Sequence, residues 1–591
     1  MNILGIYYGH NATVCLLKDG KLVAAASEER FNGIKNYSGF PSKAIDYVLK
    51  EGKIKGKDVD LVTVPRNFGT PIHSMVEVKR GNYLKFLIIL SLGIGYVRKL
   101  WGNIVLRFPE LMPIGRFFYL FSAYTVGWYT NNKELDFLTR YLGISRKKGR
   151  SFDHHLSHAA SAYFASPFNN IKALVLTLDG EGDSFSASVN IFDKDKVRTI
   201  SRTKRESSLG LLYAGLTVFM GMKPSEHEYK IMGLAPYAKG SDIQKVYDSI
   251  NKLITVNKDK LIFESKFNTV DTEKFLHEKI QRVRFDVLAA VFQKLTEEKI
   301  VEWIRACIKT TGIHTLVLAG GVFMNVKANQ RILKLAEVKE LFIIPSSGDE
   351  SSIIGSSYLG FIDLYKKKTS DYPYIPPIKD IYLGPDITNE EIEKCLKMGD
   401  VYKKYNVKRI KDVGKTIAKL LAEGNIVARA CGRMEFGARA LGNRSILADP
   451  RNIETIKEIN DLIKGRDFWM PFAPSILDYR LKDYVKNSGK YEANYMMMAY
   501  DTTDKAKSDL KASMHQADYT VRPHVVRKDF NQKYYNLIKE FEKLTGVGGI
   551  LNTSFNLHGY PIVLGAKEAL FVFKNSGLKY LALNDFLISK K

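Results

Sequence analysis

Two histidines and two aspartates are the side chains of this sequence whose types and spacing best suit a metal ion. His154 and His158 lie four residues apart in a stretch that begins like a helix, so both imidazoles fall on one face. Asp179 ends one apolar run, and Asp349 follows another in a serine- and glycine-rich turn. Open α/β sheets place their chemistry at strand ends followed by glycine turns, so we expect these four side chains to form one site.

Two imidazoles with one or two carboxylates make a ligand set that suits iron, manganese or zinc. Such a set leaves coordination positions open for a substrate. The alternative is that the histidines only cap or line a buried helix. The aspartates at the strand ends favour the metal.

Two glycine-containing turns carry further candidates. His10, beside Gly9, lies between the first two predicted strands and has the chemistry of a base or a phosphate ligand, with a structural role as the alternative. Gly320, Gly321 and Asn325 belong to a strand, double-glycine, helix sequence. Paired glycines let a backbone approach a nucleotide closely, and a helix N-terminus favours anions, but tight packing alone also uses such turns.

The last third of the chain places single cations in glycine-rich turns. Residues 432–445 hold three arginines between glycines, and Lys464 and Arg466 flank another glycine. Guanidinium groups grip phosphate oxygens bidentately, and asparagine or serine can position a ribose or a small planar acid. A nucleic-acid surface is the alternative, but it would favour runs of Lys and Arg along one element. The sequence therefore favours phosphate or nucleotide binding.

Length, composition and charge limit the kinds of protein that this chain can be. The 591 residues exceed what one hydrophobic core supports, and 45% hydrophobic with 26% charged residues is ordinary for a folded chain. The net charge of +26 fits anionic small substrates, nucleic acid or an anionic membrane surface. Four cysteines without CxxC spacing indicate neither a zinc knuckle nor a disulfide framework, and the N-terminus lacks secretory-signal features. We therefore expect a cytoplasmic protein.

Alternating elements predict the architecture of the first part. The order of strand, glycine turn with a polar residue, and strand occurs twice, which predicts a duplicated α/β core of the actin-like ATPase kind. The predicted elements are strands at 2–8, 12–18, 21–27, 173–178 and 186–192, and a helix at 42–54.

Residues 75–150 differ from their surroundings. Two apolar stretches, 83–97 and 117–129, fall short of the ~18–20 residues that a membrane span requires. The interpretations are a helical insertion packed on the core, an interfacial element resting on lipid, or a cover for a bulky acceptor. Residues 367–386, charged and then proline-rich, are the predicted linker.

Together these motifs resemble the O-carbamoyltransferases of nodulation-factor, cephamycin and tobramycin biosynthesis. Many motifs in one order make this resemblance specific. The matching segments are 9–12, 28–30, 154–162, 178–180, 229–237, 319–325, 348–350, 434–445, 471–475 and 552–556.

The resemblance implies a two-domain α/β protein. Residues 1–366 would form a duplicated actin-like ATPase (ASKHA) domain with a helical insertion at about 75–150, similar to the universal tRNA threonylcarbamoyl transferase. Residues 387–591 would form a YrdC-like α/β domain, similar to the threonylcarbamoyl-adenylate synthase. In the family, the second domain makes carbamoyl adenylate from ATP and carbamoyl phosphate, and the first transfers the carbamoyl group to an acceptor hydroxyl at an iron site.

The resemblance also implies roles for individual residues. The metal, Fe²⁺ or another divalent cation, would be bound by His154, His158, Asp179 and Asp349. His10 and Lys35 would lie beside the acceptor and the carbamoyl group. The site for carbamoyl phosphate and ATP, with its Mg²⁺, would use Arg439, Lys464, Arg466, Arg522, Asn552 and Ser554. Two positions depart from the family pattern: Met470 stands where an arginine is common, and Asn11 where an aspartate is frequent.

The expected partners are small molecules: ATP, carbamoyl phosphate and a hydroxyl acceptor of a sugar-containing or other secondary metabolite. No nucleic-acid partner is expected, and a homodimer is left open. One rival function is threonylcarbamoyl transfer to tRNA. The other is a membrane-associated, non-catalytic scaffold that contacts lipid through residues 83–129.

Overall fold

The computed structural model of the protein describes residues 1–67, 127–240, 242–280, 282–487 and 489–590. The chain forms two compact units. The first contains Met1–Glu28 and Asn36–Ile378, and the second contains Glu29–Lys35 and Lys379–Lys591. The short segment Glu29–Lys35 therefore belongs with the C-terminal part of the chain.

Two five-stranded sheets with the same topology form the first unit. The strands of the first sheet are β1 (Asn2–Tyr7), β2 (Thr13–Lys18), β3 (Lys21–Ser27), β4 (Leu61–Val64) and β5 (Gly149–Ser151). Those of the second are β6 (Ala173–Gly182), β7 (Phe185–Asp193), β8 (Lys196–Lys204), β11 (Thr315–Ala319) and β12 (Glu340–Ile343), and β9 (Ile254–Asn257) with β10 (Ile262–Ser265) forms a separate hairpin. The strand orders are β3-β2-β1-β4-β5 and β8-β7-β6-β11-β12.

In both sheets three antiparallel strands are followed by two parallel ones. This recurrence confirms the predicted duplicated α/β core. The strand predicted at 173–178 continues to Gly182, because the chain pairs again there with Phe185 after an irregular stretch. In the turn between β1 and β2, Asn11 adopts a φ of 63°, a left-handed conformation that asparagine tolerates.

Two helices that pack against each other carry three of the four predicted metal ligands: His154, His158 and Asp349. Helices His154–Ala165 and Asp349–Thr369 pack against each other so closely that a Cβ atom on Gly355 would lie 1.8 Å from the carbonyl oxygen of Ser157. Glycine at this position lets the two backbones approach. Within the described residues, the other helices of the unit are Ser42–Glu51, Trp128–Tyr141, Leu209–Phe219, Glu228–Leu234, Asp242–Ile250, Thr272–Lys279, Phe285–Thr311 and Val326–Leu333.

The end of the predicted insertion belongs to the core sheet. Helix Trp128–Tyr141 lies between the parallel strands β4 and β5, where a crossover connection is required. The last two residues of the predicted insertion, 149 and 150, lie in the core strand β5, and the bounds of the insertion stay a prediction. The stretch 83–97 and most of 117–129 lie outside the described residues. None of the described helices combines the length and the apolar character that a membrane span requires.

The predicted linker at 367–386 starts later than expected. Helix Asp349–Thr369 includes the run of three lysines at 366–368 in its last turn. Cations at this end of a helix interact favourably with the helix dipole. The helix ends where Ser370 adopts a φ of 61°, so the charged residues extend the helix instead of beginning the linker.

The second unit contains a mixed eight-stranded sheet. Its strands are β13 (Asn406–Arg409), β14 (Val427–Ala430), β15 (Arg444–Ala448), β16 (Ala473–Leu477), β17 (His524–Val526), β18 (Gly549–Ser554), β19 (Tyr580–Leu583) and β20 (Phe586–Ser589), in the order β13-β20-β19-β14-β15-β18-β16-β17. Its helices are Glu29–Asn32, Asn389–Met398, Val401–Lys404, Val413–Ala422, Glu454–Ile459, Leu481–Tyr484, Asp504–Asp509, Gln532–Thr545 and Ala566–Lys574. Buried side chains such as Ile446, Leu551, Leu570 and Phe573 form its core.

Candidate metal centre and anion site

The four predicted metal ligands lie together in the first unit. His154 and His158 come from the first two turns of one helix, Asp179 from β6, and Asp349 is the first residue of a second helix. One ligand atom from each residue lies within 4.8 Å of all the others. The topology thus brings the local histidine pair and the two distant aspartates to one point.

The separations between these atoms fit a single cation. The two imidazole Nε2 atoms are 3.1 Å apart. Asp179 Oδ2 lies 3.3 and 3.2 Å from His154 and His158 Nε2. Asp349 Oδ1 lies 3.6 and 3.4 Å from the same two atoms. Donors about 2.1 Å from a metal and at right angles to one another lie about 3 Å apart, so the four donors fit one ion and leave positions open.

The two aspartates of this centre favour positive charge beside them. Burial disfavours the imidazolium form, but the carboxylates of Asp349 and Asp179 outweigh it and raise the pKa of His154 to about 10. The pKa of His158 is raised as well, since the same carboxylates outweigh its burial. The two aspartates therefore require positive charge beside them, which protons or a divalent cation can supply.

Each aspartate has one carboxylate oxygen facing the histidines. Its other oxygen is held by hydrogen bonds from neighbouring groups. Asp179 Oδ1 accepts hydrogen bonds from the backbone N–H groups of Gly180 at 2.7 Å and Gly321 at 3.3 Å. Asp349 Oδ2 accepts from the Tyr7 hydroxyl at 2.6 Å. The Asp349 side chain is 25% exposed whereas His158 is fully buried. The centre is therefore open on the Asp349 side, where a substrate can enter.

A third histidine of the same helix, His155, has a structural role. Its Nδ1 atom lies 2.8 Å from Thr177 Oγ1 on β6. Burial lowers the pKa of His155 to about 4, so the ring is neutral. It lies outside the group of four candidate ligands.

Gly182 lies against the ring of His154. A methyl group added at Gly182 would lie 1.9 Å from His154 Cδ2, whereas one added at Gly180 would meet only Leu211 Cδ2, at 3.8 Å. We expect Gly182→Ala to displace the ring and weaken Mn²⁺ binding by roughly 10- to 100-fold. Gly180→Ala should retain the wild-type affinity. Calorimetric titration of the two variants checks this, and equal affinities would contradict it.

His10 lies near the exposed side of the centre. Its side chain is half-buried, and its Nε2 atom lies 3.1 Å from the carbonyl oxygen of Ser225. It is an electrostatic neighbour of the carboxyl group of Glu350, the residue after Asp349. Its role as a base stays a prediction.

The Gly320-Gly321 turn supports the metal centre. Gly320 has a φ of 101°, and a Cβ atom there would lie 2.3 Å from the carbonyl oxygen of Leu178. Gly321 donates to Asp179, and Asn325 caps the following helix through its side-chain oxygen. These contacts account for the turn, and its predicted nucleotide-binding role stays a prediction.

The second unit holds a cluster of five cations: Lys35, Arg439, Lys464, Arg466 and Arg522. Burial, then Arg466 and Lys35, lower the pKa of Lys464 well below its usual range. Burial, then Arg439 and Arg466, lower the pKa of Arg522 in the same way. No acidic group of the described chain offsets either shift. Such a cluster attracts a polyvalent anion.

Lys464 and Arg522 differ in their hydrogen bonds to the rest of the protein. Lys464 ends the π-helical turn Asn460–Lys464, a geometry frequent at functional sites, and is buried. Its Nζ atom donates to the carbonyl oxygen of Ser554 at 2.6 Å and to Asn556 Oδ1 at 2.7 Å. Arg522 is half-buried and makes no hydrogen bond or ion pair with the described part of the chain. Its guanidinium group is therefore available to a ligand.

Asn552 and Ser554 support the cations. Asn552 donates to the carbonyl oxygen of Ala440, the residue after Arg439, at 3.0 Å. Ser554 accepts from Lys464. Direct contacts of these two residues with a ligand stay a prediction. Met470 is buried and adds no charge to the cluster.

Two of the three arginines in the segment 432–445, Arg433 and Arg444, are held by backbone carbonyl groups of the protein. Arg444 is fully buried and donates to several backbone carbonyl groups, among them that of Leu564 at 2.9 Å. Arg433 donates to a carbonyl oxygen at 2.8 Å. Only Arg439 belongs to the cation cluster.

Arg444→Met should therefore reduce stability. The substitution removes the several hydrogen bonds that a fully buried guanidinium group donates, and we expect the free energy of unfolding to fall by roughly 3 kcal/mol or more. Arg439→Met should change it little, because that side chain is half-buried among like charges. Urea unfolding of both variants checks the contrast, and equal stability losses would contradict it.

The sequence alone did not single out three residues of the metal centre: Tyr7, Gly182 and Asp183. Asp183 accepts the backbone N–H of His154 at 2.9 Å and so fixes the start of the histidine helix. The sequence could have indicated Tyr7, because it is a polar residue at the end of the first strand. The steric role of Gly182 had no such signal.

Two family models match this chain. Residues 2–358 match the family model for the carbamoyltransferase N-terminus, and residues 418–590 match that for the carbamoyltransferase C-terminus. An uncharacterized protein of Synechocystis sp. is 31% identical, with 100% of this chain and 97% of that protein covered. Nodulation protein NolNO of Sinorhizobium fredii is 27% identical, with 98% and 79% covered.

Among solved structures, component A of (R)-2-hydroxyglutaryl-CoA dehydratase from Acidaminococcus fermentans is similar to part of this chain. The alignment includes 63% of this chain and 100% of the dehydratase component. Its TM-score of 0.31 and 13% identity are too low to decide the fold. The two family matches span both units and most of the described residues. The chain belongs to the carbamoyltransferase family of transferase enzymes.

Proposed function

We propose that this enzyme is an ATP-dependent O-carbamoyltransferase. It makes carbamoyl adenylate from ATP and carbamoyl phosphate and transfers the carbamoyl group to a hydroxyl of a sugar-containing or other secondary metabolite. The observation that carries the proposal is the presence of two dissimilar sites in one carbamoyltransferase chain: four metal-ligand atoms within 4.8 Å in the first unit, and five clustered cations in the second. In this proposal the units have the actin-like and YrdC-like folds, and the duplicated sheets support the first assignment.

Activation is assigned to the second unit. Carbamoyl phosphate gives up its phosphate to water and leaves carbamate, and a carbamate oxygen bonds to the α-phosphorus of ATP as the bond to pyrophosphate breaks. Negative charge develops on the leaving phosphates, and preorganised cations stabilise it. Arg439, Arg466 and Arg522 hold the phosphates of ATP, which carries Mg²⁺, and of carbamoyl phosphate. Lys464 adds to the positive field. Lys35, expected beside the carbamoyl group, is reassigned to the same field because its charge acts on Lys464.

Transfer is assigned to the first unit. The acceptor oxygen bonds to the carbamoyl carbon, the bond to AMP breaks, and His10 takes the hydroxyl proton. His154, His158, Asp179 and Asp349 would hold a divalent cation, Fe²⁺ in this proposal. When bound, such a cation supplies a Lewis acid for the carbamoyl oxygen. Hydrogen bonds to the other carboxylate oxygens keep Asp179 and Asp349 oriented towards the centre.

Pyrophosphate release from ATP tests the donor assignment. We expect release to require carbamoyl phosphate and to ignore threonine with bicarbonate. Release that depends on threonine and bicarbonate would favour threonylcarbamoyl transfer to tRNA instead. Absence of ATP turnover, together with flotation of the protein on anionic vesicles, would favour the scaffold function.

A further inference from the structure

The two carboxylate oxygens of Asp349 have different neighbours, and the Tyr7 hydroxyl binds one of them. It donates to Oδ2 at 2.6 Å, and Oδ1 is the oxygen that lies near the imidazoles of His154 and His158. A carboxylate held in this way presents one oxygen to a cation, whereas a free carboxylate can rotate and bind through both. The side chain of Tyr7, the last residue of β1, is 7% exposed.

A buried ion pair lies beside this tyrosine. Arg66 Nη2 donates to both carboxylate oxygens of Glu134, at 3.0 and 2.9 Å. The two side chains are 7% and 4% exposed. The guanidinium carbon lies 4.8 Å from the ring centroid of Tyr8 and 5.9 Å from that of Tyr7. Burying two charges offers little net stability over apolar packing, so fixing a geometry is the better reason for such a pair here.

We propose that Tyr7 is a positioning residue of the metal centre and that the Arg66–Glu134 pair acts on the centre through it. Tyr7 holds Asp349 in its single-oxygen orientation, and the ion pair fixes the tyrosine ring. This inference rests on the proposed binding of a divalent cation. Removing a group that orients a metal ligand lowers metal affinity by roughly 10- to 100-fold.

The neighbouring residue provides a matched control. Tyr8 is 5% exposed and lies against the same guanidinium group, but its hydroxyl faces the Arg66–Glu134 pair and not Asp349. Tyr7→Phe and Tyr8→Phe each remove one oxygen atom from a buried ring. Only the first substitution frees Asp349.

Titration of the metal-free, full-length protein with Co²⁺, followed by visible absorption, tests the proposal. We expect Tyr7→Phe to bind Co²⁺ roughly 10- to 100-fold more weakly than wild type. Its spectrum should also be weaker per ion, because a released carboxylate that binds through both oxygens raises the coordination number. Tyr8→Phe should match wild type in both respects. Wild-type affinity and spectrum for Tyr7→Phe would overturn the inference.

Glu134→Gln tests the route through the tyrosine. We expect it to weaken Co²⁺ binding when Tyr7 is present and to add nothing in the Tyr7→Phe background, because both changes act on Asp349 through one residue. Fully additive effects would overturn this route. A wild-type protein that binds no Co²⁺ would instead overturn the proposed metal site, so the two failures are distinguishable. If Glu134→Gln does not fold, the tyrosine pair still decides the role of Tyr7.

Discussion

His158→Ala should lose divalent-metal binding and carbamoyl transfer while it keeps the release of pyrophosphate. His158 is fully buried, and its Nε2 atom lies 3.2 Å from Asp179 and 3.4 Å from Asp349. Structural metal sites bind with about 10–16 kcal/mol, so the loss of one ligand in four should weaken affinity by roughly 100- to 1,000-fold. The cation cluster belongs to the other unit and is unchanged. Calorimetric titration with Mn²⁺ and single-turnover pyrophosphate release measure the two effects.

His155→Asn is the matched control on the same helix. Asparagine can keep a hydrogen bond in place of the imidazole Nδ1 atom that faces Thr177. We expect this variant to bind Mn²⁺ as wild type does, with at most a small loss of stability. If His155→Asn lost the metal and His158→Ala kept it, the ligand assignment would be wrong.

Arg522→Met should lose activation without losing stability. Arg522 is crowded by Arg439 and Arg466, and it forms no hydrogen bond or ion pair within the described residues. Removing one of several like charges relieves repulsion, so Tm should stay equal or rise. Losing a charged contact to phosphate should lower kcat/KM for pyrophosphate release by roughly 10- to 100-fold. Steady-state kinetics and thermal unfolding of the same preparation measure both quantities.

Arg409→Met provides the comparison for a cation outside the cluster. Arg409 also belongs to the second unit, where it is exposed and pairs with Asp585. We expect its loss to leave kcat/KM unchanged. A fall in the Tm of Arg522→Met with normal kinetics would indicate that Arg522 is structural, as Arg444 is.

The sequence was informative wherever local geometry decides the outcome. The spacing of His154 and His158 is enough to place both rings on one helix face, and the structure has them there. The strand-end rule identified Asp179 and Asp349, although only the sheet topology brings them to the same histidines. The duplicated order of strands could also be predicted from local features, because each hairpin has its own turn residues.

Tertiary contacts decided the rest. Arg439 and Arg444 lie in one glycine-rich segment, and residue type gave no way to tell a half-buried cation from one enclosed by carbonyl groups. The crossover helix Trp128–Tyr141 looked like part of an insertion, because the aromatic-rich stretch 117–129 runs into it. The contacts of Tyr7, Arg66 and Glu134 join elements that are far apart in the sequence. No periodic pattern in the sequence predicts such contacts.

The separation of two half-reactions between two units is tested most directly by one paired measurement. Metal content and carbamoyl-phosphate-dependent pyrophosphate release should be determined on the same preparations of wild type, His158→Ala and Arg522→Met. We expect His158→Ala to release pyrophosphate without a bound metal, and Arg522→Met to keep the metal while losing the release. Joint loss of both properties in each variant, with the fold intact, would contradict the separation.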